Sequence, residues 1–108
     1  MAFEKDNAIF TARRFVALLK TNGINVSEAY VFGSAILNKS DDDSDSDIDV
    51  AVVSKEFSGI PYYDVKKISK YRRAIDLCLE IHLFSFDDIN INPPSFFLDI
   101  RNKGIRLI

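Results

Sequence analysis

Two aspartates, Asp47 and Asp49, stand one residue apart at the head of the segment DIDVAVV. In an extended strand, residues i and i+2 project from the same face, with Cα atoms about 6.5 Å apart. Carboxylates at that separation converge on one cation, or on two cations about 3.5 to 4 Å apart. Magnesium suits such a pair, because it takes oxygen ligands and is commonly held by one or two carboxylates together with substrate phosphates. Like charges this close on a strand otherwise made of Ile, Val and Ala repel one another, and a bound cation offsets the repulsion.

Two further features belong with this pair. Gly33-Ser34 follows the apolar run ending at Phe32. A glycine there lets a phosphate approach the backbone, and the serine hydroxyl and following N–H groups can donate to it. A third carboxylate comes from Asp76 or Glu80, which fall on the same face of the alternating segment IDLCLEIHLF. If that strand neighbours residues 47–53, either acid can join the aspartate pair and deprotonate an attacking hydroxyl.

The elements that must position these groups follow from hydrophobic periodicity. Ile9, Ala12, Phe15, Val16 and Leu19 recur at helical spacing, predicting an amphipathic helix over 4–21 that Gly23 closes. Residues 25–32 read as a strand, 38–46 as a polar loop and 47–53 as a second strand. On that second strand Ile48, Val50 and Val52 share one face and Asp47, Asp49, Ala51 and Val53 the other. Pro61 suits the first turn of a helix running to about Tyr71, with Val65 and Ile68 as its core residues. Ile75, Leu77, Leu79, Ile81 and Leu83 then alternate as a long strand. A short helix after Pro93-Pro94 carries Phe96, Phe97 and Ile100, and IRLI ends the chain as a last strand. The expectation is an α/β (α+β) fold, a mixed sheet flanked by helices, in one domain spanning 1–108.

Composition narrows the function. The chain has 108 residues, 47% of them hydrophobic, and a formal net charge of −2. That is a globular composition without the basic excess of a tight nonspecific nucleic-acid binder. One cysteine, Cys78, excludes an intrachain disulfide and reads as structural. With no signal-like N-terminus and no apolar run near the roughly 18 residues of a membrane span, a cytoplasmic protein without a membrane partner is expected. Residues 41 to 49 hold six Asp, but lack the glycine and glutamate of a calcium-binding EF-hand loop. Lys66, Lys67 and Lys70 read as a solvated helix face, and His82 as a surface or satisfied histidine, with a supporting hydrogen-bond donor as the other reading.

Taken together, Phe32-Gly33-Ser34, twelve intervening residues, and Asp47-Ile48-Asp49-Val50 resemble the signature of the DNA polymerase beta-like nucleotidyltransferases. The short chain resembles the minimal members of that superfamily, and Arg73-Ala74-Ile75-Asp76-Leu77 resembles the strand that supplies their third carboxylate. The resemblance implies transfer of a nucleoside monophosphate, from ATP or another nucleoside triphosphate, to a hydroxyl acceptor. It implies that Gly33 and Ser34 contact the triphosphate and that Asp47, Asp49 and Asp76 hold two Mg2+ ions, with Asp76 also serving as base and Glu80 as its rival for the third-carboxylate place. Lys39 is the basic residue placed to reach a phosphate. Asp41, Asp42, Asp43 and Asp45 would repel a triphosphate unless they face solvent or a further cation. The same resemblance implies a helical partner protein, which would itself offer the acceptor, or a homodimer. It also leaves open an antitoxin-like or regulatory binding subunit with little catalysis.

Overall fold

The computed structural model of the protein describes residues 2–33, 48–75 and 79–108. In chain order these form α1 (Ala2–Thr21), β1 (Val26–Phe32), β2 (Ile48–Ser54), α2 (Pro61–Ile75), β3 (Leu79–Ser85), α3 (Phe86–Ile91), α4 (Ser95–Lys103) and β4 (Ile105–Arg106). The strands make one sheet in the order β3-β2-β1-β4. β1 is antiparallel to both β2 and β4, whereas β2 and β3, joined through α2, run parallel. The fold is therefore a mixed sheet with flanking helices, α+β in class.

α1 forms because Ala8, Ala12, Phe15, Val16 and Leu19 lie along one stripe, and all five are buried. It stops at Gly23, whose φ of +86° a side chain would resist. There Ile24 N–H donates to the Leu19 carbonyl at 3.0 Å and Gly23 N–H to Lys20 at 3.1 Å, pairing carbonyls the helix end would orphan.

β2 is the centre of the sheet, and Val50, Ala51, Val52 and Val53 are all fully buried because both of its faces are covered. On one face Ile48, Val50 and Val52 pack with Val31 and Leu79 against residues of α1 and α2. On the other, Ala51, Val53 and Tyr30 meet Ile89, Phe97 and Ile100 from α3 and α4. Fully burying a side chain such as Phe97 stabilises the fold by roughly 1.5–3 kcal/mol.

α2 begins at a turn organised by Asp64. Its carboxylate, 3% exposed, accepts from Ser58 N–H at 2.7 Å, Gly59 N–H at 2.9 Å and the Ser58 hydroxyl at 3.0 Å. A carboxylate near a helix N-terminus also meets the positive end of the helix dipole.

α4 is tied to β1 by charge. Glu28 accepts from Tyr30 OH at 2.7 Å and from Arg101 Nη2 at 3.1 and 3.2 Å. Burial alone would raise the Glu28 carboxyl, but the Tyr30 and Arg101 hydrogen bonds and the Arg101 and Arg106 charges together hold it below its ordinary value. Burial and the neighbouring Glu28 push the Tyr30 phenol up.

Three expectations need correction. α2 runs to Ile75 rather than about Tyr71, and the following strand starts at Leu79, so Ile75 is a helix residue and not a strand residue. Ile68, Tyr71 and Ile75 sit three and four apart, and this helical spacing wins over the period-two alternation that Ile75 also satisfies. Val65 is 47% exposed and not a core residue, whereas Ile68 is 1% exposed. A helix at Phe86–Ile91 also separates the two last strands, its first turn capped by the Ser85 hydroxyl.

Candidate active site

β2 and β3 bring two of the sequence-identified acids face to face. Asp49 and Glu80 are Cα partners in the parallel ladder, and on the other side Asp49 is the Cα partner of Phe32 in β1. Paired residues project from the same sheet face, so the two carboxylates stand side by side at the start of their strands. This is the strand adjacency that the third-carboxylate reading required.

The same register places His82 opposite Ala51, two residues along from Glu80 and on the same face. His82 Nε2 lies 3.3 Å from Asp49 Oδ1. Its ring is held by Phe32, 5.1 Å away between ring centroids, and by Phe96, 5.8 Å away. The Asp49 and His82 side chains keep 22% and 28% of their exposure, so the pair opens to solvent. One ligand atom each from Asp49, Glu80 and His82 lies within 4.8 Å of the other two. Two carboxylates and an imidazole are a donor set that fits a divalent cation, since metal–ligand distances near 2.1 Å place neighbouring ligand atoms about 3 Å or more apart.

Gly33 closes the site from the end of β1. Its φ is +85°, and a Cβ built there would run into Asp49 Oδ2. The glycine therefore does two things: it turns the chain at the strand end and leaves the space the Asp49 carboxylate occupies.

Beside the site, the outer side of β3 carries two open grooves. One, of about 300 Å³, is lined by Val65, Ile68, Ser69, Arg72, Leu79, Glu80 and Ile81. Arg72 there donates from Nε to the Leu79 carbonyl at 2.7 Å, anchoring α2 to the first residue of β3. The other, of about 270 Å³, includes Gly59, Asp64, His82, Phe84 and Phe96. The larger of the two just reaches the lower end of the range for small-ligand sites, and the other falls slightly below it.

Of the sequence-identified residues, Asp49, Glu80 and Gly33 are thus brought together. Asp47, Asp76, Ser34, Lys39 and Cys78 lie outside the described residues, as does the Asp-rich loop. His82 is the residue that sequence reasoning undervalued. Its contact with Asp49 answers to the satisfied or supporting-donor reading rather than to a surface histidine, and its i+2 spacing from Glu80 was the signal that it shares that acid's face. Lys66, Lys67 and Lys70 are exposed on α2, as a solvated face requires.

Among the described residues, no helix is long and apolar enough to cross a membrane. No curated protein sequence matches the chain. A crystal structure of a candidate nucleotidyltransferase from Sulfolobus solfataricus shares the fold, with a TM-score of 0.62 at 20% identity, covering 81% of this chain and 75% of that one. The family model described as "Polymerase beta, Nucleotidyltransferase" matches residues 15–108. With the match running over most of the chain and through the strands that join Gly33, Asp49 and Glu80, the protein belongs to the polymerase beta nucleotidyltransferase family.

Proposed function

We propose that the protein transfers a nucleoside monophosphate, AMP from ATP in the first instance, to a hydroxyl acceptor at the Asp49–Glu80 site. The observation that carries this reading is the in-register pairing of Asp49 with Glu80 beside the space left by Gly33. Magnesium ions, when bound, neutralise the triphosphate and the departing pyrophosphate. Asp47 and Asp49 would hold them. The third carboxylate comes from the neighbouring strand, and the register opposite Asp49 supports Glu80 for that place beside Asp76.

Each residue then has a stated task. Gly33 and Ser34 receive the triphosphate on backbone and hydroxyl donors, and Lys39 adds a positive charge to it. Glu80, exposed at the rim of the site, is placed to take the proton of the attacking hydroxyl as the new phosphoester bond forms and the bond to pyrophosphate breaks. The acceptor enters along β3, where the grooves are open and Glu80 and His82 line them. In this reading the protein is cytoplasmic and the acceptor hydroxyl belongs to a helical partner protein, as in an antitoxin acting on its toxin, or to a second copy of the chain. A binding subunit with little catalysis is the second reading. It draws support from the exposed apolar residues Ile60, Tyr62, Tyr63 and Val65 next to the same grooves.

The test uses the four nucleoside triphosphates labelled on the α-phosphate, each with Mg2+, with the wild type and with Asp49→Asn and Glu80→Gln. Label transferred to protein or to an added hydroxyl acceptor, with release of pyrophosphate, is expected from the wild type. Both variants should lose it by at least about a hundred-fold, the scale on which positioned charge contributes. A wild type that binds magnesium-ATP by calorimetry and transfers nothing to any acceptor would leave only the binding-subunit reading.

A further inference from the structure

We propose that His82 supplies a nitrogen ligand, through Nε2, to the divalent ion held by Asp49 and Glu80, and that this makes the centre prefer manganese to magnesium. The inference rests on the nucleotidyltransferase reading only for placing an ion at these carboxylates. Its own support is geometric. Nε2 lies 3.3 Å from Asp49 Oδ1, and the Asp49, Glu80 and His82 ligand atoms converge within 4.8 Å. The Nε2–Oδ1 separation falls in the range of about 3.0–3.4 Å that cis positions on one ion require at bond lengths near 2.1 Å, and the exposed Glu80 carboxylate has only to close from within 4.8 Å to join them.

The ring is also prevented from turning away. Phe32 and Phe96 flank it at 5.1 and 5.8 Å, and its backbone is fixed opposite Ala51 in the centre of the sheet. A ligand locked by packing before the ion arrives loses little entropy on binding. The histidine is 28% exposed, so the lone pair of the neutral ring can reach an ion that enters from solvent.

Chemistry then sets the preference. Magnesium is hard, demands near-ideal octahedral oxygen coordination and gains little from an imidazole. Manganese accepts both carboxylate and imidazole and tolerates a less regular shell. Two oxygens and one nitrogen from a rigid face therefore favour Mn2+.

The experiment is pulsed electron paramagnetic resonance of the full chain loaded with Mn2+, together with calorimetric titration of Mn2+ and of Mg2+. The wild type should show electron spin-echo modulation from a directly bonded 14N and bind Mn2+ at least about ten-fold more tightly than Mg2+. His82→Gln should lose the modulation and about ten-fold in Mn2+ affinity, with Mg2+ affinity changed less than about three-fold. Absence of nitrogen modulation in the wild type overturns the inference without reference to any variant. So does a His82→Gln variant in which both affinities fall together, because that marks a residue that only orients Asp49. Failure to bind Mn2+ overturns it as well. The Mg2+ transfer assay with Asp49→Asn decides the nucleotidyltransferase reading separately, so either conclusion can fail alone.

Discussion

Replacing Gly33 with alanine separates two costs that the structure makes calculable. Gly33 has φ +85° and Gly23 has φ +86°, so alanine at either position takes on the same backbone strain. For an L-residue that strain is about 1–2 kcal/mol. In a domain of this size it corresponds to a fall in melting temperature on the order of 5–10 °C. The surroundings differ. A Cβ at Gly23 meets nothing within 4 Å, whereas one at Gly33 collides with the Asp49 carboxylate. Gly23→Ala should therefore melt lower and otherwise behave as the wild type. Gly33→Ala should melt at least as low and also swing Asp49 away from Glu80 and His82. Loss of one well-placed group at a metal centre costs about ten- to a hundred-fold in ion affinity. The assay is calorimetric Mn2+ and Mg2+ titration of both variants, at a temperature well below either melting transition. If Gly33→Ala binds ions as tightly as Gly23→Ala, Asp49 is not held where the argument needs it and the site as drawn is wrong.

The remaining predictions concern the frame around the site. Asp64→Ala leaves Ser58 and Gly59 N–H without their acceptor; because both residues are exposed, water replaces part of what is lost, and the expected cost is about 2 kcal/mol in denaturant unfolding. An unchanged midpoint would show that the turn before α2 is not set by this carboxylate. Glu28, held below its ordinary value of 4.5, contributes stability that is complete above that pH and is lost as pH falls through its lower folded value. Glu28→Gln should accordingly cost about 1–2 kcal/mol at pH 7, and the gap to the wild type should narrow as the pH drops below 4.5. A gap that stays constant down to pH 3 would mean that the charge at Glu28 plays no part.

Much of this architecture was legible from residue spacing. The stripe in α1 and the two-sided apolar run of β2 are single-period signals, and burial follows them except at the start of the stripe, where Ala8 is buried and Ile9 only partly so. The segment from Ile75 to Phe84 reads as one unbroken strand by alternation, although Ile75 and Leu79 also satisfy a helical period. Only packing decided that Ile75 closes α2 while Leu79 opens β3. α3 escapes the periodicity although Ser85 and Asp88 form the serine-x-x-acid pattern of a helix start, because six residues are too few to show a helical repeat. The site was half legible. Which side of its own strand Asp49 and Glu80 each take could be read from alternation, but that they share a sheet face and stand in the same row depended on β2 and β3 being neighbours, a long-range fact no local pattern encodes. His82 was undervalued for the same reason, because its meaning comes from Asp49 on another strand and Phe96 on a helix.

The two jaws of the site are mounted differently. Asp49 belongs to a strand with a partner on each side and packed layers above and below, so displacing it means deforming the middle of the molecule. Glu80 and His82 belong to the outermost strand, which among the described residues pairs along one flank only. Accommodation to cargoes of different bulk must therefore come from the outer flank beyond Glu80, while Asp49, with the His82 ring wedged against it by Phe32 and Phe96, acts as the fixed anvil against which they are held. A protein built this way can tolerate variety in what it grips without losing the alignment of the group that anchors the grip.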